Sequence, residues 1–173
     1  MPETVLAYIG LGSNIEPEKN IPAALQLLGE EVTIKAVSSF YRTPAIDRPE
    51  DPDFYNGVAA IMTDRSARTL KFGILRAIES QLGRQRTQDT YAPRTIDLDL
   101  LLYDSLVCDD PGFRLPDGDI ERPFVGLALL ELDSELIMPG THQPLASLFS
   151  DRRGYNLQIA EAFTQQVKRS IGL

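Results

Sequence analysis

Asp97 and Asp99, in the stretch Pro93–Asp104 (PRTIDLDLLLYD), are spaced for chemistry. The run reads as a β-strand, and residues two apart in a strand point to the same side. Ile96, Leu98, Leu100 and Leu102 then line a core face, and the two aspartates sit side by side on the other. Like charges that close repel, and aspartate is a poor strand former, so the arrangement calls for a cation between them. Magnesium suits two carboxylates, because it is a hard ion that takes a few of them and leaves its other positions to water and phosphate oxygens. That chemistry points to a nucleoside triphosphate and a phosphoryl-type transfer. The plainer alternative is a solvated strand face balanced by flanking lysines or arginines.

The loop before the strand favours the first reading. GRQRTQDTYAPR brings Arg84, Arg86 and Arg94 together in a chain whose net charge is −8. Guanidinium groups pair bidentately with phosphate oxygens and neutralise charge on a group in transfer. Other phosphate machinery is missing: there is no P-loop motif and no protein-kinase motif set. GLGSN, Gly10–Asn14, has two glycines without the dinucleotide-binding spacing. One histidine (His142) and one cysteine (Cys108) leave no basis for a zinc site or a Ser-His-Asp triad. Catalysis would rest on metal and arginine.

The elements that must position these groups follow from periodicity. VLAYIGLGSN reads as a buried strand running into a turn. EPEKNIPAALQLLGE is helical, with Ile21, Ala24, Leu25 and Leu28 on one face and Gly29 as its stop. VTIKAVSSFYRT is one long strand ended by Pro44, AIDRPEDPD a loop, and FYNGVAAIMT another strand. SARTLKFGILRAIESQLG is a helix with Ser66 as N-cap and Leu70, Ile74, Leu75, Ile78 and Leu82 on its apolar face. The order β-α-β-β-α-β predicts an α+β fold, a ferredoxin-like sandwich with an antiparallel sheet and helices on one face. The other face is left free for a site. Extra C-terminal elements follow: a short helix in RPFVGLALLELD, a loop in MPGTHQPLASLFS and a helix in NLQIAEAFTQQVKRS.

The 173 residues fit one domain spanning residues 1–173, with 43% hydrophobic and 24% charged residues. The acidic balance argues against nucleic acid and membrane surfaces as partners. A single cysteine and an N-terminus without a signal-peptide pattern predict a cytoplasmic protein, and we expect a monomer.

AYIGLGSN, SSFYRTP, FYN, IESQLGR and PRTIDLDLLLYD together resemble the 6-hydroxymethyl-7,8-dihydropterin pyrophosphokinases of folate biosynthesis, over roughly Ala7 to Pro139. The resemblance implies a ferredoxin-like α+β fold, ATP as co-substrate, 6-hydroxymethyl-7,8-dihydropterin as acceptor, and AMP as a product. It implies that Asp97 and Asp99 hold two Mg²⁺ ions. Asn56 would hydrogen-bond the pterin edge, Phe54 and Phe124 would stack on its faces, and the Thr43 backbone would meet it. Without the resemblance both phenylalanines would read as core. Arg84, Arg86 and Arg94 would form a catalytic loop that closes over ATP, with Tyr91 as a smaller aromatic lid where the family often has tryptophan. Glu79 would lie beside the metals. Arg122 and Phe124 keep an R-x-F spacing, but Asp117 stands where the family has a phosphate-binding histidine. Arg114 is the nearest cation to substitute, and weaker Mg-ATP binding is expected. The alternatives are a non-catalytic pterin- or nucleotide-binding protein and a pyrophosphokinase for a related heterocycle.

Overall fold

The computed structural model describes residues 2–45, 47–151 and 155–173; Ile46, within the expected loop AIDRPEDPD, lies outside them. β1 (Val5–Ser13) runs into α1 (Pro17–Glu31), then β2 (Thr33–Val37), β3 (Tyr41–Thr43) and β4 (Phe54–Thr63). A helix follows in two parts, a π-helical stretch over Thr69–Leu75 and then α2 (Arg76–Gln81). β5 (Asp97–Tyr103) completes the βαββαβ core. The sheet is antiparallel in the order β5-β1-β4-β3, with β2 also paired to β4, so β1 lies between β4 and β5.

α1 forms where expected because Ile21, Ala24, Leu25 and Leu28 recur on one face, and all four are fully buried. It does not stop at Gly29. The helix runs two residues further to Glu31, with Gly29 in a helical turn packed near Ile34 of β2. The expected long strand is divided at Ser38–Phe40. There the Ser38 hydroxyl accepts from Val58 N–H (2.9 Å), and Glu131 takes the Ser39 N–H on both its carboxylate oxygens (3.0 Å each). Ser38 N–H keeps its bond to the Val58 carbonyl (2.9 Å), and side chains take up the other amides at the break.

Ser66 caps its helix as expected, accepting from Thr69 N–H at 3.1 Å. The π-helical stretch changes the apolar face. Leu70 and Leu75, five apart, are both buried, whereas Ile74 is only half-buried. Gly83, at φ +80°, ends the segment.

Two cores sandwich the sheet. The first joins Ile9, Leu98 and Leu100 to α1, to Leu70, Leu75 and Ile78, and to Phe163 and Val167. The second covers part of the opposite face, where Tyr8, Val58 and Leu102 meet α3 (Pro123–Leu132) through Ala128, Leu129 and Leu130. That face, expected to be free, is therefore free only near Asp97 and Asp99. Leu102 joins the second core because β5 carries an extra residue: Tyr8 pairs with Leu102 and Ile9 with Leu100, so Leu101 is bulged. Leu101 and Leu102 then both lie in the second core.

Beyond β5 the sequence left several elements unread. β6 (Cys108–Asp110) and β7 (Phe113–Leu115) form a hairpin, and a 3₁₀ turn spans Gly118–Glu121. The expected loop MPGTHQPLASLFS contains a second 3₁₀ turn, Leu145–Phe149, whose terminal side chains are buried. β8 (Gln158–Ile159) pairs with β3 and precedes α4 (Glu161–Ser170). Among the described residues no helix is long and apolar enough to cross a membrane.

Candidate active site

Asp97 and Asp99 begin β5, beside the last turn of the central strand: Gly12 is in register with Asp97 on one side and with Asn56 of β4 on the other. A Cβ at Gly12 would approach Asn56 Oδ1 to 2.7 Å, so only glycine lets the Asn56 amide lie across β1. Asn56 Nδ2 donates to Thr43 Oγ1 at 2.9 Å, which fixes the amide's orientation. The result is a cleft of about 520 Å³ over this end of the sheet.

Of the expected site residues, Thr43, Phe54, Asn56, Glu79, Arg84, Arg86, Tyr91, Arg94, Asp97, Asp99, Arg122 and Phe124 all line this cleft. Arg114 does not. It points outward from β7, between the buried Phe113 and Leu115, and is exposed. Asp117 does not line the cleft either. Its carboxylate accepts from Asp119 N–H (2.8 Å) and caps the 3₁₀ turn, and its own N–H donates to the Leu101 carbonyl (3.0 Å). At the position where the family resemblance leads one to expect a phosphate contact, this chain has a turn cap.

Two cations went unanticipated. Lys71 and Arg76 line the cleft, and both stack on Phe72, with Lys71 also over Phe113. They are five apart across the π-helical stretch, a spacing that an α-helical reading sends to different sides. Among the described residues six cationic side chains line the cleft against four carboxylates, which reverses the sign of the whole protein's charge and suits a polyanion.

The arginines are held by carboxylates. Glu79, almost fully buried, pairs with Arg84 and with Arg86 (2.8 Å). Arg84 also reaches Asp97 Oδ1 at 2.5 Å, and Arg94 reaches Asp97 Oδ2 at 2.8 Å. Asp97 thus carries a guanidinium on each oxygen. Asp99 has no such partner among the described residues. Burial, followed by repulsion from Asp97, Asp117 and Asp119, pushes its carboxyl up to about 8, with Arg84 opposing. Burial likewise raises the Asp117 carboxyl, against the hydrogen bond from Asp119.

The Asp99 shift fixes a sign for stability. From about pH 4 to about pH 8 the folded chain keeps a proton there that the unfolded chain has released, so stability falls as pH rises through that window. Asp99→Asn lacks this slope. In EDTA, the thermal stability of the variant relative to wild type should grow between pH 4 and pH 8 and then level off. Unfolding scans across that range check it, and a constant gap would contradict the upward shift of the Asp99 carboxyl.

The sequence pattern of the 7,8-dihydro-6-hydroxymethylpterin-pyrophosphokinase (HPPK) family matches residues 8–134, most of the chain. The chain belongs to this family. The 2-amino-4-hydroxy-6-hydroxymethyldihydropteridine pyrophosphokinase of Haemophilus influenzae is 33% identical over 155 residues, covering 86% of this chain and 96% of that protein. The Pseudomonas aeruginosa protein of the same name is 37% identical over 142 residues, covering 79% and 86%. The fold agrees. The HPPK-DHPS of Plasmodium falciparum, crystallised with pterin and p-hydroxybenzoate, superimposes with a TM-score of 0.68 at 13% identity. The alignment covers 93% of this chain and 46% of that longer one. Membership in the HPPK family makes the chain a transferase of the diphosphokinase type.

Proposed function

We propose that this chain transfers pyrophosphate from ATP to the hydroxymethyl oxygen of 6-hydroxymethyl-7,8-dihydropterin, releasing AMP, in folate biosynthesis. It acts as a single-domain monomer in the cytoplasm. The observation that carries the reading is that one cleft holds both halves of the chemistry. Phe54, Phe124 and the oriented Asn56 amide suit a flat heterocycle with a polar edge, and the arginines and aspartates suit a polyphosphate.

Magnesium fits the donor set. Asp97 and Asp99 open onto the cleft, and Asp99 sits in a field that favours a cation. Among the described residues no three metal-ligating side chains cluster, which leaves most of a coordination shell to water and phosphate. Bound there, magnesium would neutralise charge on the phosphate oxygens. Two ions suit the two carboxylates.

The chain's own part is positional. Arg84 and Arg94, now on Asp97, exchange that carboxylate for phosphate oxygens, which frees both Asp97 oxygens as the anion arrives. Glu79 keeps Arg86 and Arg84 aligned during the exchange. Among the described residues no side chain is placed as a general base, so rate comes from orientation and electrostatics. A non-catalytic reading drew its support from Asp117. Both aspartates and all three loop arginines line the cleft, and that set favours turnover.

AMP formation from ATP and the dihydropterin, abolished by EDTA and restored by Mg²⁺, tests the proposal. Phe124→Ala should weaken pterin binding by about 1–3 kcal/mol, the scale of one lost stacking partner, and change ATP binding far less. Phe124 also packs on the second core, so titrations of both ligands are needed. Equal losses would assign the ring to packing alone.

A further inference from the structure

We infer that Asn14 is a positioning residue that ties the arginine loop to the loop carrying the pterin wall, so that Arg94 is set relative to the bound heterocycle. The inference rests on the reading of the cleft given above. Asn14 is the first residue beyond β1, two past the glycine that separates Asn56 from Asp97. It is 3% exposed, and both ends of its side-chain amide are hydrogen-bonded. Its Oδ1 accepts from Arg94 N–H at 2.8 Å, and its Nδ2 donates to the Pro52 carbonyl at 3.2 Å. Its own N–H, with that of Ile15, donates back to the Arg94 carbonyl at 3.2 Å.

One side chain therefore holds two segments 42 residues apart. Pro52 stands two residues before Phe54, and Arg94 three residues before its partner Asp97. The task selects the residue type. A carboxylate of the same size has no donor for Pro52, a leucine has neither function, and a serine is too short to reach both. Residues 47–53 and 83–96 also meet through an ion pair between Arg48 and Asp89, but those side chains are about a third exposed or more. Such pairs contribute little, whereas a buried amide left without its partners is costly, so the coupling resides in Asn14.

A kinetic double-mutant cycle decides it, with Mg-ATP and 6-hydroxymethyl-7,8-dihydropterin as substrates. Asn14→Ala should lower kcat by about tenfold or more, the scale of one or two lost hydrogen bonds. In an Arg94→Ala background the same change should cost less than about threefold, because the residue acts through Arg94. Equal costs in both backgrounds would make Asn14 a purely structural residue and overturn the inference. An Arg94→Ala protein with full activity would instead overturn the reading of the cleft, and the inference with it.

Asn14→Asp serves if Asn14→Ala fails to fold. It keeps an acceptor for Arg94 and gives up the donor to Pro52, so the pterin KM should rise by about fivefold or more while kcat falls less than in Asn14→Ala. An unchanged pterin KM would show that the two walls are not coupled through this amide.

Discussion

Asp99→Asn is expected to reduce turnover by about a thousandfold or more while raising the melting temperature of the metal-free protein. A metal bound at a phosphoryl centre supplies several kcal/mol of transition-state stabilisation, and about 1.4 kcal/mol is a factor of ten in rate. The amide keeps the shape of the side chain and removes the charge that a cation requires. Stability should move the other way, because Asp99 is crowded by Asp97, Asp117 and Asp119 and has no described cation partner. Asp97→Asn should lose comparable activity without the thermal gain, since Asp97 balances Arg84 and Arg94. Single-turnover assays with a Mg²⁺ titration and parallel unfolding scans check both variants. Activity near wild type in either one would remove that aspartate from the metal site. A loss of stability in Asp99→Asn would show that its carboxylate is compensated.

Arg94→Ala is expected to lower kcat by about a hundredfold to a thousandfold, the scale of removing one preorganised donor from developing charge. The pterin KM should change by much less. Arg94 is the cleaner test of the loop than Arg84. Truncating Arg84 strips one of two cations from the buried carboxylate of Glu79, a change that destabilises in its own right. Among the described residues, the Arg94 side chain hydrogen-bonds Asp97 and the Thr90 carbonyl. A variant with normal kcat and a raised pterin KM would make the loop a substrate gate without an electrostatic role.

The strand bearing the aspartates was legible in the sequence because its alternation is strict from Ile96 to Leu100. The bulge that follows was not. An extra leucine in a run of leucines changes no polarity, and only the pairing of Tyr8 with Leu102 reveals it. Lys71 and Arg76 escaped for a related reason. Their common side depends on i→i+5 hydrogen bonding, and propensity does not separate a π-turn from an α-turn. Asp117 was assigned by position within a family pattern, and Arg114 by its nearness to Asp117 in sequence. A short β7 and a capped turn orient them by their own hydrogen bonds instead. The hairpin of β6 and β7 had a turn signal in Pro111-Gly112, but its strands, Cys108-Asp109-Asp110 and Phe113-Arg114-Leu115, are too short and too polar for periodicity to declare them.

The place of β1 between β4 and β5 has a consequence for how the cleft breathes. Its floor, Gly10 to Gly12, is hydrogen-bonded on both sides, so these amides meet solvent only when the sheet itself comes apart. The walls differ, because residues 83–96 and 47–53 lie largely outside the ladder and open by local excursions of far lower free energy. Hydrogen exchange would then report two regimes within one site, a slow floor and fast walls. A ligand that orders the walls would slow exchange there and leave the floor unchanged, and that difference separates closure of the site from stabilisation of the whole fold.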